Sequence, residues 1–295
     1  MITLSNGKQI EFLMASGMMG FDGEGPTFFH RILYRNLKKF NLFDPDLFSI
    51  VTKTFTFLPI KGSKLVRPIK NGWWNKYGLD NSGIEGFYKI IEILSRKNNI
   101  IISLSCNGIK CIENLKNFLR VIKKNLLNIV AVEVNTSCSN IDFKKFGDPD
   151  FVQNLCFELK TYGFPLILKV GAGGSYFGNT KMTEGIVEAI DINSVPAPGE
   201  GAISGKAAQE TNWKIMRALI ENISTPVIAP SIWHYEDIEK VFKIGAKAIS
   251  FGSCSMIHPL RSWGPILPTL WVRRYNKETE EKDKYLKSHA RFKGR

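Results

Sequence analysis

The sequence has no long apolar run, few cysteines and fewer acidic than basic residues. No apolar run approaches the ~18 residues that a helix needs to cross a bilayer, and no secretory leader precedes the first polar residues. The chain has 5 cysteines. They are odd in number and contain no CxxC pair, which argues against a disulfide framework and against a clustered iron–sulfur or zinc site. We therefore expect a reducing, cytoplasmic setting, no membrane association and no metal site.

The shortage of acidic residues leaves the chain strongly basic. It has 40 Lys and Arg against 27 Asp and Glu, a formal net charge of +13. Such a surface attracts nucleic acid, acidic lipid or anionic small molecules. Much of the excess lies in the closing stretch "RRYNKETEEKDKYLKSHARFKGR", which we interpret as a solvated helix. We divide the chain into a folded unit, residues 1–262, and a basic C-terminal extension, residues 263–295.

Short apolar runs alternate with amphipathic ones along most of the chain. "LFSIVTKTF", "NIIISLS", "IVAVEVN", "PLILKV", "PVIAP" and "AKAISFG" are typical of strands, whereas "IENLKNFLRVIKK" has the spacing of a helix. Seven or eight such units without a low-complexity linker favour an α/β fold, a single-domain (β/α)8 TIM barrel with a parallel sheet. No GxGxxG motif follows a strand, which disfavours an open dinucleotide-binding sheet.

Polar residues stand where several predicted strands end. In a barrel these ends converge on one mouth, which carries the chemistry. Lys53 and Lys169 each lie within an apolar run, where an unpaired ammonium group is costly. We interpret them as partners of an anion or an electron-rich ring. The alternative is a packed stem with the head in solvent.

Asparagines form the second group of candidates: Asn75, Asn81, Asn135, Asn140 and Asn193. An amide offers two donors and an acceptor, so a set of them suits a planar ligand with amide-like edges, such as a pyrimidine. Each asparagine alone is more often a turn residue or a cap.

Cys138 differs from the other cysteines because its neighbours are polar and it follows a strand. A thiolate there could act as a general base that removes a proton from carbon. The alternative is a small, inert, half-buried residue. We interpret Cys106, Cys111, Cys156 and Cys254 as packing residues.

Several motifs then resemble those of the class 1 dihydroorotate dehydrogenases. "VEVNTSCSN" is similar to their N-[LTV]-S-C-P-N motif. "SIVTKT" resembles the strand with the flavin-binding lysine, and "RPIKNGWWNKYGLDNSG" the substrate loop. "LMASGMMGF", "KKFGDPDF", "LILKV", "INS", "GAISGKA" and "GAKAISFGSCSMIHP" follow in the family's order. The resemblance covers roughly residues 12–262.

The resemblance implies an FMN-dependent barrel that oxidises (S)-dihydroorotate to orotate in de novo pyrimidine (UMP) biosynthesis. Cys138 would be the catalytic base, with hydride passing to the flavin. Substrate-binding residues would be Lys53, Asn75, Tyr77, Gly78, Leu79, Asn135, Asn140, Asn193 and Ser194. Cofactor-binding residues would be Ser16, Lys53, Thr54, Ser103, Asn135, Lys169, Ile192, Gly205, Ser231, Gly252 and Ser253.

The sequence departs from the family's pattern at three places. Ser139 stands in place of the proline after the cysteine. Pro230 and Ser231 stand in place of a Gly-Gly pair beside the cofactor phosphate, so an N–H donor and a permissive backbone are lost. Ser103 is only an approximate match to the family's flavin-contacting residue.

These departures keep other functions open. One is a related flavin barrel acting on another pyrimidine, like dihydropyrimidine dehydrogenase or tRNA-dihydrouridine synthase. Another is an inactive flavin-binding paralogue. The resemblance also implies a homodimer and the possibility of an electron-transfer subunit carrying FAD and a [2Fe–2S] cluster. We expect no nucleic-acid partner.

Overall fold

The computed structural model describes residues 1–76, 78–106, 110–126, 128–137, 148–172, 176–198, 200–258 and 262–292. Eight parallel strands close into a barrel, which confirms the predicted fold. In the order in which the chain forms them, they are β3 (Phe12–Met14), β4 (Ser49–Val51), β7 (Ile100–Leu104), β8 (Ala131–Asn135), β9 (Leu166–Val170), β10 (Ala189–Ile192), β13 (Val227–Ala229) and β14 (Ala248–Phe251).

Helices cover the outside of this barrel. All the barrel strands are buried along their length, as expected for parallel strands covered on both faces. The helices are α1 (Phe28–Lys39), α2 (Gly83–Tyr88), α3 (Ile91–Ser95), α4 (Cys111–Asn125), α5 (Pro149–Lys160), α6 (Tyr176–Met182), α7 (Lys206–Asn222), α8 (Glu236–Ile244) and α9 (Ile266–Phe292), with short 3-10 helices at Pro45–Leu47 and Ser253–Ser255.

A short hairpin closes the N-terminal end of the barrel. Its strands β1 (Ile2–Thr3) and β2 (Gln9–Ile10) pair antiparallel. Ile2, Leu4 and Ile10 join one apolar cluster with a residue from every barrel strand. This apolar layer fills the lower half of the barrel and leaves the other end for polar residues.

A second, antiparallel sheet is built from insertions between barrel strands. Its strands are β5 (Leu65–Ile69), β6 (Gly72–Lys76), β11 (Val195–Pro196) and β12 (Ala202–Gly205), in the order β11-β12-β6-β5. β5 and β6 are inserted after β4, and β11 and β12 after β10, so the sheet lies at the C-terminal ends of the barrel strands. We call this sheet the roof.

The last part of the chain packs partly on the barrel. A two-stranded sheet of β15 (Ile257–His258) and β16 (Ser262–Trp263) precedes α9. In α9, Val272 is buried and Tyr275 lies with its ring centroid 5.7 Å from that of Phe12, whereas residues 281–287 are all exposed. The domain boundary near residue 262 stays a prediction. Among the described helices, none combines the length and the apolar composition that a bilayer span requires.

The cysteines differ in part from our interpretation. Cys156 and Cys254 are buried, as packing residues would be. Cys106 and Cys111 are also buried, but they are joined by a disulfide. Their Cα atoms lie 5.0 Å apart. Interpreting this pair as packing residues alone was therefore wrong, since counting cysteines does not reveal one local bridge.

Candidate active site

A cavity of about 1410 Å³ opens at the C-terminal end of the barrel, beneath the roof. Most of the predicted site residues line it, although they come from separate parts of the sequence. They are Ser16, Lys53, Thr54, Asn75, Gly78, Leu79, Asn135, Lys169, Ile192, Asn193, Ser194, Gly205, Ser231, Gly252 and Ser253.

Four predicted residues do not appear among those that line the cavity. Tyr77, Cys138 and Asn140 lie outside the described residues. Ser103 is fully buried below the cavity, where it contacts Thr54 and Glu133. It therefore supports residues of the cavity wall and does not form part of that wall.

The polar lining follows from the two-residue period of the strands. Side chains two positions apart point to the same face of a strand. Counting two residues onward from Ala131, Ile167 and Ala189 of the apolar layer gives Glu133, Lys169 and Asp191. The barrel interior therefore changes from apolar to charged within one step along three adjacent strands.

These three charged residues form the floor of the cavity. The Nζ of Lys169 lies 3.4 Å from Oε2 of Glu133 and 3.2 Å from Oδ2 of Asp191. All three side chains are at least nine-tenths buried. Ser103 donates a hydrogen bond of 2.6 Å to the other oxygen of Glu133, Oε1. We use the name floor for Glu133, Lys169 and Asp191.

Burial shifts the proton affinities of the floor. Burial raises the pKa of Glu133 to about 7 and the Asp191 carboxylate adds to this, although the Lys169 ammonium opposes it. Burial alone would lower the pKa of Lys169, but the two carboxylates outweigh burial and raise it. Lys169 therefore stays charged, and Glu133 holds a proton more readily than an exposed glutamate would.

Lys53 stands at the side of the cavity near a second carboxylate. Its Nζ donates a 2.7 Å hydrogen bond to the backbone oxygen of Asp80 and lies 3.9 Å from the Asp80 carboxylate. Lys64 approaches the same carboxylate at 3.1 Å. Burial lowers the pKa of Lys53 to about 8, against the opposing effect of Asp80. An anionic ligand bound here would raise the pKa of Lys53 and keep its side chain charged. The charged side chain would in turn bind the anion more tightly.

Asn135 is held at both ends of its amide. Its Nδ2 donates to Thr54 Oγ1 at 3.0 Å, while its Oδ1 accepts from the backbone N–H of Ser137 at 3.0 Å and from the Ser137 hydroxyl at 2.6 Å. Asn193 donates to the same Ser137 hydroxyl at 2.6 Å. This network fixes the orientation of two predicted ligand-binding amides across adjacent parts of the wall.

Asn81 stabilises a turn and does not line the cavity. Its Oδ1 accepts from the backbone N–H of Thr56 and Gly83, at 3.2 and 2.8 Å, and it is buried. It therefore orders the turn that carries Leu79 and Asp80. This is the turn role that is usual for a single asparagine.

The segment after β13 shows how Pro230 and Ser231 are accommodated. Ser231 adopts a left-handed backbone (φ +60°), which favours glycine. Its hydroxyl accepts a 2.9 Å hydrogen bond from Asn212, and its backbone oxygen accepts one of 3.0 Å from Gln209. Trp213 donates to the oxygen of Pro230 at 3.1 Å. Side chains of α7 thus hold a conformation that glycine would adopt without strain.

Sequence reasoning missed several polar residues at the cavity, among them Asp191, Asn212 and Glu133. Asp191 and Asn212 are buried and line it, and one side-chain oxygen of each has no hydrogen-bond partner among the described residues. Glu133 lies just below. The signal for Glu133 and Asp191 was present, because each interrupts an apolar strand as Lys53 and Lys169 do. Asn212 gave no such signal, since it lies on a helix of mixed polarity.

The roof is held by contacts between exposed groups. Trp74 donates its ring N–H to the backbone oxygen of Glu200 at 3.0 Å. Lys76 forms an ion pair with the Glu200 carboxylate. Arg67 lies over the Trp74 ring at 4.5 Å from its centroid. A Cβ on Gly201 would come within 2.6 Å of the Asn75 oxygen, so a glycine is needed where the roof strands approach.

Comparison with known proteins places the chain near one group of enzymes. No family model matches it. It is 23% identical over 252 residues to the "Dihydroorotate dehydrogenase B (NAD(+)), catalytic subunit" of Thermoanaerobacter sp. strain X514, covering 72% of this chain and 78% of that protein. It is 26% identical over 235 residues to the protein of the same name from Methanocaldococcus jannaschii, covering 70% and 74%. The chain is thus similar to dihydroorotate dehydrogenases over most of its length.

Solved structures show the same fold. A mutant tryptophan synthase alpha-subunit from Pyrococcus furiosus superposes with a TM-score of 0.50 at 10% identity, covering 85% of this chain and 89% of that chain. At this identity the likeness concerns the barrel fold alone.

Proposed function

We propose that this protein is an FMN-dependent enzyme that oxidises (S)-dihydroorotate to orotate, a step of pyrimidine biosynthesis. The observation that carries the proposal is the convergence of two strand-end lysines and three asparagines on one cavity. Lys53, Lys169, Asn75, Asn135 and Asn193 all line it. A carboxylated pyrimidine presents an anion together with alternating carbonyl and N–H groups, which these side chains match.

The described residues also fit FMN. The cavity of about 1410 Å³ exceeds the roughly 300–1,000 Å³ of a typical small-molecule site, so it has room for a cofactor and a substrate together. Lys169 would hold the electron-rich edge of the flavin ring. Gly252 and Ser253, at the start of a short 3-10 helix, would hold the phosphate. When bound, the cofactor supplies the acceptor for the hydride of the substrate.

The residues of this chain would then bind, orient and deprotonate the substrate. Lys53 would pair with the substrate carboxylate, and Asn135 and Asn193, fixed through Ser137, would orient the ring. Cys138 follows Ser137 directly in the sequence and would take the proton from carbon. Its role rests on the resemblance of "NTSCSN" to the family motif.

The proposed reaction is tested by anaerobic titration. Protein loaded with FMN should lose its flavin absorbance when (S)-dihydroorotate is added. In Cys138→Ala the flavin should stay bound while its reduction slows on the order of 10²-fold or more, because a general base contributes about that much. Cys156→Ala makes the same chemical change on α5 and should leave the rate unchanged.

Other outcomes would identify the alternatives. An unchanged rate of flavin reduction in Cys138→Ala would refute the role of Cys138 as the general base. Flavin binding without bleaching by dihydroorotate, but with bleaching by another dihydropyrimidine, would favour a different pyrimidine substrate. Flavin binding without reduction by any of them would favour the inactive paralogue. Tight, salt-sensitive tRNA binding would favour a tRNA-modifying barrel.

The electron acceptor and partner form part of the proposal. The similar proteins are called NAD(+)-linked catalytic subunits. We therefore propose that a subunit carrying FAD and a [2Fe–2S] cluster accepts the electrons, with this chain as a homodimer. Reoxidation of the reduced protein by fumarate alone would contradict the proposal that a partner subunit accepts the electrons.

A further inference from the structure

Helix α1 has an apolar face that points away from the protein. Phe28 and Phe29 are 71% and 79% exposed, and Ile32, Leu33 and Phe40 are exposed as well. At about 100° per residue the four helical positions among them fall within an arc of about 140°, and Phe40 directly follows the helix. We call this set the α1 outer face.

The opposite side of the same helix already packs on the barrel. Tyr34 is buried and its ring lies 5.6 Å from that of Phe43, and Leu37 packs against the core. A surface helix normally has one apolar face, toward the core, and charged residues outside. The α1 outer face reverses this pattern, and such a continuous exposed patch marks an interaction site.

The charges around the α1 outer face indicate what covers it. The helix contains no acidic residue and four basic ones, of which Arg35 and Lys39 lie beside the apolar positions. Carboxylates outside the helix pair with the other two and with Arg35: Asp22 with Arg31, Glu24 with Arg35 and Asp46 with Lys38. Lys39 is therefore the cation that carries the charge of this face. The whole chain carries +13. A second copy seated here would bring like charges together, whereas an anionic surface complements them.

We propose that the α1 outer face docks on an anionic lipid surface. A helix with Phe, Ile and Leu on one side and Lys and Arg at its rim binds in the plane of a bilayer, with apolar residues at the acyl boundary and cations at the headgroups. A flat bilayer also requires no shape complementarity from a convex helix. This inference does not depend on the identity of the substrate, and it departs from our expectation from sequence that the protein has no membrane association.

The position of α1 gives this contact a functional setting. Thr27, His30 and Tyr34, at the start of α1 and on its inner side, line the active-site cavity. A bilayer on the α1 outer face would therefore lie beside the cavity mouth.

Vesicle flotation with full-length protein tests the proposal. Wild-type protein should float with phosphatidylcholine vesicles containing about one third phosphatidylglycerol and should bind pure phosphatidylcholine on the order of tenfold less. The double variant Phe29→Ser, Phe40→Ser should lose at least tenfold in binding to the anionic vesicles. Phe157→Ser removes a phenylalanine that is 60% exposed on α5 and should bind as wild type does.

A charge variant separates lipid docking from nonspecific adhesion. Lys39→Glu should weaken vesicle binding severalfold, whereas Lys123→Glu, an exposed lysine in the last turn of α4, should not. Failure of wild type to bind anionic vesicles, or equal loss in both lysine variants, would overturn the proposal. So would a dimer that dissociates in Phe29→Ser, Phe40→Ser, because a second copy would then occupy the face.

Discussion

The floor and the roof of the cavity are stabilised in different ways. The floor is an ion triplet on adjacent barrel strands, nearly inaccessible to solvent. The roof is an inserted sheet whose ion pair between Lys76 and Glu200 is largely exposed. Water screens the roof pair and not the floor, so equivalent substitutions should have unequal effects. The buried ion triplet of the floor should therefore be sensitive to substitution, whereas the exposed ion pair of the roof should be changed at little cost.

Removing the cation of the floor should have the largest effect. In Lys169→Met the carboxylates of Glu133 and Asp191 lose their shared partner, and breaking a buried pair costs about 3–5 kcal/mol. Lys76→Met makes the same change in the roof and should cost at most about 1 kcal/mol. Urea denaturation of both variants measures the difference. Equal losses would show that the floor is not the more strongly coupled region.

The second prediction is a pH dependence of stability that arises from Glu133 in the floor. The pKa of Glu133 is raised to about 7 in the folded protein, from an ordinary value of 4.5. The native state therefore binds a proton that the unfolded state has released between these values. The stabilisation that Glu133 contributes is fully present below pH 4.5 and is lost as the pH rises through 7. In this range the free energy of unfolding falls by up to about 1.4 kcal/mol per pH unit.

Glu133→Gln should remove this dependence. Glutamine resembles the protonated acid, so the stability difference between variant and wild type should grow in favour of the variant as the pH rises from 4.5 to 7. Ser103, Lys169 and Asp191, which face Glu133, remain in place. Glu200→Gln serves as the roof control and should track wild type across the range. A constant difference in Glu133→Gln would mean that Glu133 is ionised throughout.

A smaller loss of stability than that of Lys169→Met should come from a change in the roof backbone. Gly201 has φ +84°, and a Cβ would press on the Asn75 oxygen and the Trp74 ring. Gly201→Ala should therefore displace β6 and weaken orotate binding severalfold, while the free energy of unfolding falls by about 1–2 kcal/mol. Gly163→Ala is the control, since Gly163 also has positive φ but has open space around it. Titration calorimetry measures the affinity. Equal affinities in both variants would argue that the roof does not hold substrate.

Several parts of this arrangement could be predicted from the sequence. Alternating apolar and amphipathic runs give the barrel, and the two-residue strand period directs Lys53, Asn135 and Lys169 to one mouth. The pairing of Lys169 with two carboxylates could not be predicted, because it depends on the register of three neighbouring strands, which the sequence alone does not give. The hydrogen bond from Asn212 to Ser231 likewise links a helix to a loop 19 residues away.

The sequence by itself therefore determined the barrel and the polar ends of its strands, since hydrophobic periodicity acts locally. Tertiary structure alone decided three other features: the charge balance of the floor, the exposure of the α1 outer face and the disulfide between Cys106 and Cys111. Each depends on distances between groups that the order of residues does not specify. Electrostatic and packing energies follow those distances, and only the folded chain sets them.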